Sequence, residues 1–102
     1  MIGIRFEWDE GKNLANQRKH GIRFELATRV FQDPLFVSIK DRIMDGELRW
    51  QTFGEVEDSL ILMVVHTIWE EDANGDVVEV IRVISARQAT RKERQRYEDE
   101  NG

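Results

Sequence analysis

Two apolar runs in the second half of the chain, Leu60 to Trp69 and Val77 to Ser85, leave few choices of fold. Both are apolar on alternate and intervening positions alike, so each strand must be covered on both faces and belongs in the middle of a sheet. Between them lies Asn74-Gly75. Asn-Gly tolerates the positive φ that a two-residue hairpin turn requires at both central positions, which makes it the strongest short-range hairpin signal. A chain of 102 residues has the length of one domain. It must therefore place this hairpin centrally in an antiparallel sheet and find helices to cover it.

The remaining residues supply those elements. Ile4 to Trp8 alternates as a short strand, and Asp9 is an N-cap for a helix running to Lys19 that Gly21 ends. Leu14 is that helix's one large apolar residue, with Ala15 beside it, so a narrow stripe is expected to pack inward. A second helix spans Phe24 to just before Asp33-Pro34, with Phe24, Ala27, Val30 and Phe31 forming a core stripe. Leu35 to Lys40 alternates with Leu35, Val37 and Ile39 on one side. A polar loop holding Asp45-Gly46 follows, then a strand over Leu48 to Val56. The central hairpin is joined by an acidic loop, Glu70 to Asp76. Thr90-x-x-Glu93 is a capping box opening a last helix. The order β-α-α-β-β-β-β-α describes an α+β fold, a small antiparallel sheet with helices packed on it, in a single domain over residues 1–102.

Charge is segregated. The net charge is -5, yet Arg82, Arg87, Arg91, Lys92, Arg94 and Arg96, six of the fifteen lysines and arginines, fall where a strand becomes a helix. A second basic run covers Arg18 to Arg23. Local potential rather than net charge attracts a phosphate, so these runs point to a polyanion. Cysteine is absent, which excludes disulfides and thiolate zinc; two histidines without ligand spacing give no expected metal site, and no cofactor is implied. The longest apolar run, Leu60 to Val65, cannot span a bilayer, and the N-terminus has no apolar leader; a cytoplasmic location without membrane contact is the expectation.

Arg82 lies mid-strand on the face of Val80 and Ile84. It is either ion-paired with a neighbouring glutamate or raised on a rigid strand to grip an anion bidentately. Arg49, opening another strand, faces the same choice. His66 shares a face with Leu60, Leu62 and Val64, as a satisfied core residue or a proton carrier. His20, at a helix C-terminus, is either a cation placed where the dipole stabilises it or a proton carrier. Tyr97 packs its helix on the sheet or serves the chemistry. Trp8, Trp50 and Trp69 serve the core or a partner interface, or stack bases.

The run Phe6-Glu7-Trp8-Asp9-x-x-Lys12-Asn13, then Lys19-His20-Gly21-x-x-Phe24-Glu25, Phe31-x-Asp33-Pro34, Arg49, Gly54 and Val64-Val65-His66-Thr67, closing with Arg82-x-Ile84-Ser85-Ala86-Arg87-x-Ala89-Thr90-x-x-Glu93-x-x-x-Tyr97, resembles the BrnT family of toxins. The resemblance spans nearly the whole chain in order. It implies a RelE-like fold, an endoribonuclease that arrests translation, and neutralisation by a BrnA-type antitoxin in a hetero-oligomer that contacts operator DNA through the antitoxin.

Such a nuclease is expected to work without a metal. A base takes the proton of an RNA 2′-OH, which attacks the adjacent phosphorus in line as the bond to the 5′-oxygen breaks and an acid protonates that oxygen, while guanidinium groups stabilise the charge that develops. In this sequence Arg82 and Arg87 are expected on the phosphate, Arg49 and Lys19 in support, and His20, His66 or Tyr97 at the proton transfer. Arg91 and Arg94, with Lys92 and Arg96, supply docking charge for RNA or antitoxin. Two competing readings are a non-catalytic nucleic-acid-binding module, with Arg23 and Arg29 on a helix-turn-helix-like second helix, and a relic that only pairs with an antitoxin and regulates transcription.

Overall fold

The Asn74-Gly75 turn closes a hairpin far longer than the apolar runs alone: β4 covers Leu60–Ala73 and β5 covers Asp76–Gln88 in a computed structural model that describes residues 3–102. The acidic segment expected as a loop is strand. Asn74 and Gly75 adopt φ of 54° and 86°, so the turn matches the strand twist and pairs Ala73 directly with Asp76. The same two-residue geometry recurs at Asp45-Gly46 and at Asp58-Ser59, where all four residues have positive φ. These turns set β2 (Val37–Met44), β3 (Glu47–Glu57) and β4 side by side as a meander.

The sheet order is β1-β5-β4-β3-β2, with the apolar hairpin inside it as expected. One pairing departs from the antiparallel expectation: β1 (Gly3–Glu7) lies parallel to β5, matching Glu7 with Arg82. A bulge interrupts β5, because His66 pairs with Val83 and Val65 with Ser85, leaving Ile84 extra. Ile84 is thus not on an uninterrupted face with Val80 and Arg82.

α1 (Glu10–His20) starts at Asp9, whose carboxylate accepts from Lys12 N–H, and ends at Gly21 with φ 73°. Its inward face is not the expected one. Leu14 is 44% exposed, whereas Asn13 and Asn16 are buried. β1 covers β5 only up to Arg82, so beyond it the edge of β5 is open. Asn16 fills that edge, donating to Ala86 O at 2.7 Å and accepting from Ala86 N–H at 3.1 Å, as a neighbouring strand would. α2 (Phe24–Ala27) is a single turn that tightens into a 3₁₀ segment over Thr28–Gln32 before Pro34. α3 (Arg91–Asn101) begins at the expected capping box, complete in both directions at Thr90 and Glu93.

Each face of the sheet carries its own core. Phe24, Ala27 and Val30 pack on Leu62, Val64, Val83 and Ala86; this is the α2 face. Tyr97 of α3 packs with Phe53, Ile61 and Met63 on the other, the α3 face. Gly54 permits the first contact: a Cβ there would stand 2.8 Å from the carbonyl oxygen of Val30. No helix among the described residues is long and apolar enough to cross a membrane.

Candidate functional site

Strand alternation and register decide which functional side chains meet. On β4, Ile61, Met63 and Val65 point to the α3 face, so Thr67 does too. Arg82 and Glu7 follow it, as successive register partners across β5 and β1. Arg49 lies two residues from Gln51 and four from Phe53 on β3, hence also on the α3 face. α3 covers only one end of this face. The other end is open, and carries Thr67, Arg82 and Glu7 in one row, with Arg49 one residue beyond the last β3–β4 pair, Trp50 with His66, and Gln51, Val65 and Ser85 in the next row.

Two strand spacings separate the Arg49 and Arg82 backbones, about 10 Å, a span two converging guanidinium groups can close on one phosphate. Arg82 is exposed and, among the described residues, has no salt bridge; neither has Arg49. Between them Thr67 is only 4% exposed, and its hydroxyl is the one buried side-chain polar atom among the described residues with no hydrogen-bond partner. A buried donor left unmatched costs about 1–3 kcal/mol.

Arg87 shares this face but is already engaged. It forms a fork with Glu93 of α3 at 2.7 and 3.0 Å, four residues along the hairpin from the Arg82 rung, or about 13 Å. That ion pair, opposed by burial, holds the Glu93 carboxyl below its ordinary range. Glu93 serves three bonds at once, since it also accepts from Thr90 N–H at 2.9 Å. Arg87 therefore fastens β5 to the start of α3.

The proton carriers expected from sequence do not reach this row. His66 is on the α2 face, 3% exposed, its ring edge-on to Phe31 at 5.0 Å. Its Nδ1 faces the carbonyl of Thr67 at 3.3 Å and so carries the proton; its Nε2 then accepts from the Thr52 hydroxyl at 2.6 Å, which is joined to Ser38 at 2.7 Å. Burial pushes the imidazole down to about 4, so it is neutral. His20 and Lys19 are exposed at the end of α1. The Tyr97 hydroxyl donates to Asp33, which also accepts from Glu55 N–H at 2.8 Å and Leu35 N–H at 2.9 Å. Burial, followed by the bond to Asp33, raises the Tyr97 hydroxyl well above its ordinary value. It is a tether between α3 and the Asp33-Pro34 turn.

The docking charge also redistributes. Arg94 donates to Ser59 O at 2.7 Å rather than pairing with Glu98, and Arg91 is exposed at the start of α3. Lys92 and Arg96 instead line a groove of about 400 Å³ with Glu93, Gln51, Phe53 and Ile39. Gln51 joins that groove to Arg49. Glu7, Thr67 and Gln51, in and beside this row, were not candidates on sequence grounds. Glu7 and Thr67 were visible in the motifs, but their meeting depends on the parallel β1–β5 pairing.

As for the second helix, α2 is four residues long with Phe24 and Ala27 fully buried, while Arg23 pairs with Glu25 and Arg29 with Glu57. It offers no free helix for a DNA groove.

The chain matches a family model described as the ribonuclease toxin BrnT of type II toxin–antitoxin systems, over residues 8–93. No curated protein matches it. Among solved structures it is similar to the crystal structure of the Brucella abortus ribonuclease toxin BrnT, at 25% identity and a TM-score of 0.53, covering 89% of this chain and 99% of that one. The matched residues contain the hairpin, both arginine positions and the α3 cap, so sequence and fold point the same way: the chain belongs to the BrnT family of ribonuclease toxins of type II toxin–antitoxin systems.

Proposed function

We propose that the open end of the α3 face is the RNA-cleaving site, with Arg82 and Arg49 gripping the scissile phosphate above Thr67. The observation that carries this reading is the row itself: two arginines without salt-bridge partners among the described residues flank a buried, unmatched hydroxyl. Glu7, the register partner of Arg82, takes the proton from the RNA 2′-OH. The 2′-oxygen forms a bond to phosphorus as the bond to the 5′-oxygen breaks, and the departing oxygen takes a proton from water on this open face. The guanidinium groups stabilise the charge on the non-bridging oxygens, the largest single contribution expected in such a step. Lys92 and Arg96 hold the flanking strand in the groove beside Gln51. No step calls on a metal ion.

In this reading Arg87 orders α3, Tyr97 tethers it, and His66 organises the α2 face; Lys19, Arg91 and Arg94 act at long range through charge. Antitoxin pairing is supported by the type II family, and translation arrest and a BrnA-type partner are proposed with it. Purified protein is incubated with RNA in EDTA. Cleavage leaving a cyclic phosphate, and its loss in Arg82→Ala, is the expected result; full cleavage by Arg82→Ala and Arg49→Ala alike would overturn the site. Operator DNA bound by the chain alone, with RNA left intact, would favour the non-catalytic module.

A further inference from the structure

On the α2 face, beside Phe31 of the 3₁₀ segment, lies a cleft of about 250 Å³ that the nuclease reading does not use. Its walls are largely apolar: Ile4, Phe36, Trp50, Ile68 and Ile81 around the ring of Phe31, with Ser38 and His66 at the Thr52 hydrogen-bond chain. Ile4, Phe36 and Ile68 remain substantially exposed at its rim. A contiguous apolar patch on a small protein marks an interaction surface.

One wall is charged. Glu79 lines the cleft, and its register partner across the hairpin is Glu70. Like charges directly opposite on one sheet face oppose each other. Neither has a salt bridge among the described residues: Arg5 is spent on Glu71 on the other face, and Lys40, on this face of β2 beside Trp50, pairs with neither. The fold thus holds an apolar hole with an uncompensated acidic pair at its edge.

We infer that this cleft seats the antitoxin, through a segment that inserts an aromatic or branched aliphatic side chain and lays a lysine or arginine against Glu70 and Glu79. The inference rests on the family's type II pairing, not on the cleavage chemistry. RNA is repelled by the acidic pair. A second copy of this chain, docked cleft to cleft about a two-fold axis, would place two acidic pairs in one interface. A basic amphipathic segment satisfies both the cavity and the charge. The cleft faces away from Arg49 and Arg82, so this contact anchors the antitoxin without covering the arginine row.

The test titrates a purified BrnA-type antitoxin into the purified protein by calorimetry, using Ile68→Glu and, separately, Glu79→Lys. Each variant is expected to bind at least tenfold more weakly, with unfolding temperature and RNA cleavage by the free protein unchanged. Raising salt should weaken the unmodified pair and leave Glu70→Gln/Glu79→Gln nearly insensitive. Unchanged antitoxin affinity in both variants overturns the inference. So does a dimer of the chain that Ile68→Glu abolishes while antitoxin affinity persists, or a loss of RNA binding in that variant. If Ile68→Glu fails to fold, Glu79→Lys decides alone. Unmodified protein that binds antitoxin but cuts no RNA sinks the nuclease reading, and the two variants still judge the cleft.

Discussion

Thr67 is where stability and function pull apart. Its hydroxyl is buried without a partner between two arginine positions, so removing it while keeping the shape should help the fold. Thr67→Val is expected to raise stability by up to about 1 kcal/mol in urea unfolding while lowering RNA cleavage. A variant that loses stability, or keeps full cleavage, would deny the hydroxyl its role. Arg82→Ala should cost about 10²–10³-fold in cleavage rate, the usual effect of deleting one charge-stabilising donor. Glu7→Gln tests the proton acceptor. It should lower the rate without weakening RNA binding, since it keeps the size and removes only the basicity. Of these three residues, Arg82 was legible from its charge on an apolar strand. Glu7 and Thr67 were not, because nothing in a linear pattern says that β1 runs beside β5.

At the scale of elements, β3 and α3 carry the sharpest expectations. Gly54→Ala would drive a Cβ to 2.8 Å from the Val30 carbonyl and 2.9 Å from the Val30 Cβ, backbone and core that cannot swing aside. Overpacking of this kind costs about 1–3 kcal/mol, measurable as a lowered denaturant midpoint. Element boundaries explain where the sequence reading stopped short. Alternation located β1, β2 and β3, because it survives at half-buried positions, and unbroken apolar runs located β4 and β5. The pattern undercounted β4, because Glu70 to Ala73 is largely polar and only the turn geometry extends the pairing into it, and β5 at its far end, where Ala86 to Gln88 continue the pairing past Ser85. Helix α1 misled for the opposite reason: apolarity pointed to Leu14, while the open edge of β5 selected Asn16, whose amide satisfies backbone groups that no leucine can.

For the molecule as a whole, acid is the vulnerable side. His66 has a folded-state value of about 4 against 6.5 for the free side chain, because burial penalises the imidazolium. The unfolded chain therefore takes up this proton first, and stability falls as pH drops from 6.5 toward 4, by about 3 kcal/mol over that window. Two carboxyls act in the same direction. Asp33 is pushed up by burial but held below its ordinary value by the bonds from Glu55, Tyr97 and Leu35, and Glu93 is held low by Arg87. Their stabilisation is present above the unfolded-state values and is lost as pH falls through the folded ones. Urea midpoints measured from pH 7 to 4 should fall steadily, and His66→Gln should flatten the upper part of the curve; an unchanged slope would show that His66 does not titrate as a buried neutral group.

The sequence alone determined what local physics determines. Two runs apolar on both faces required a central hairpin, Asn74-Gly75 placed its turn, Thr90 and Glu93 opened α3, and the ordered motifs pointed to the toxin family. Tertiary structure decided the rest, because a face is a property of pairing and not of composition. The parallel β1–β5 contact set Glu7 beside Arg82, strand alternation put His66 on the other side of the sheet, and the fork with Glu93 turned Arg87 from a free cation into a fastening. One residue of register separates the two faces, and only the folded sheet fixes which side chains share one.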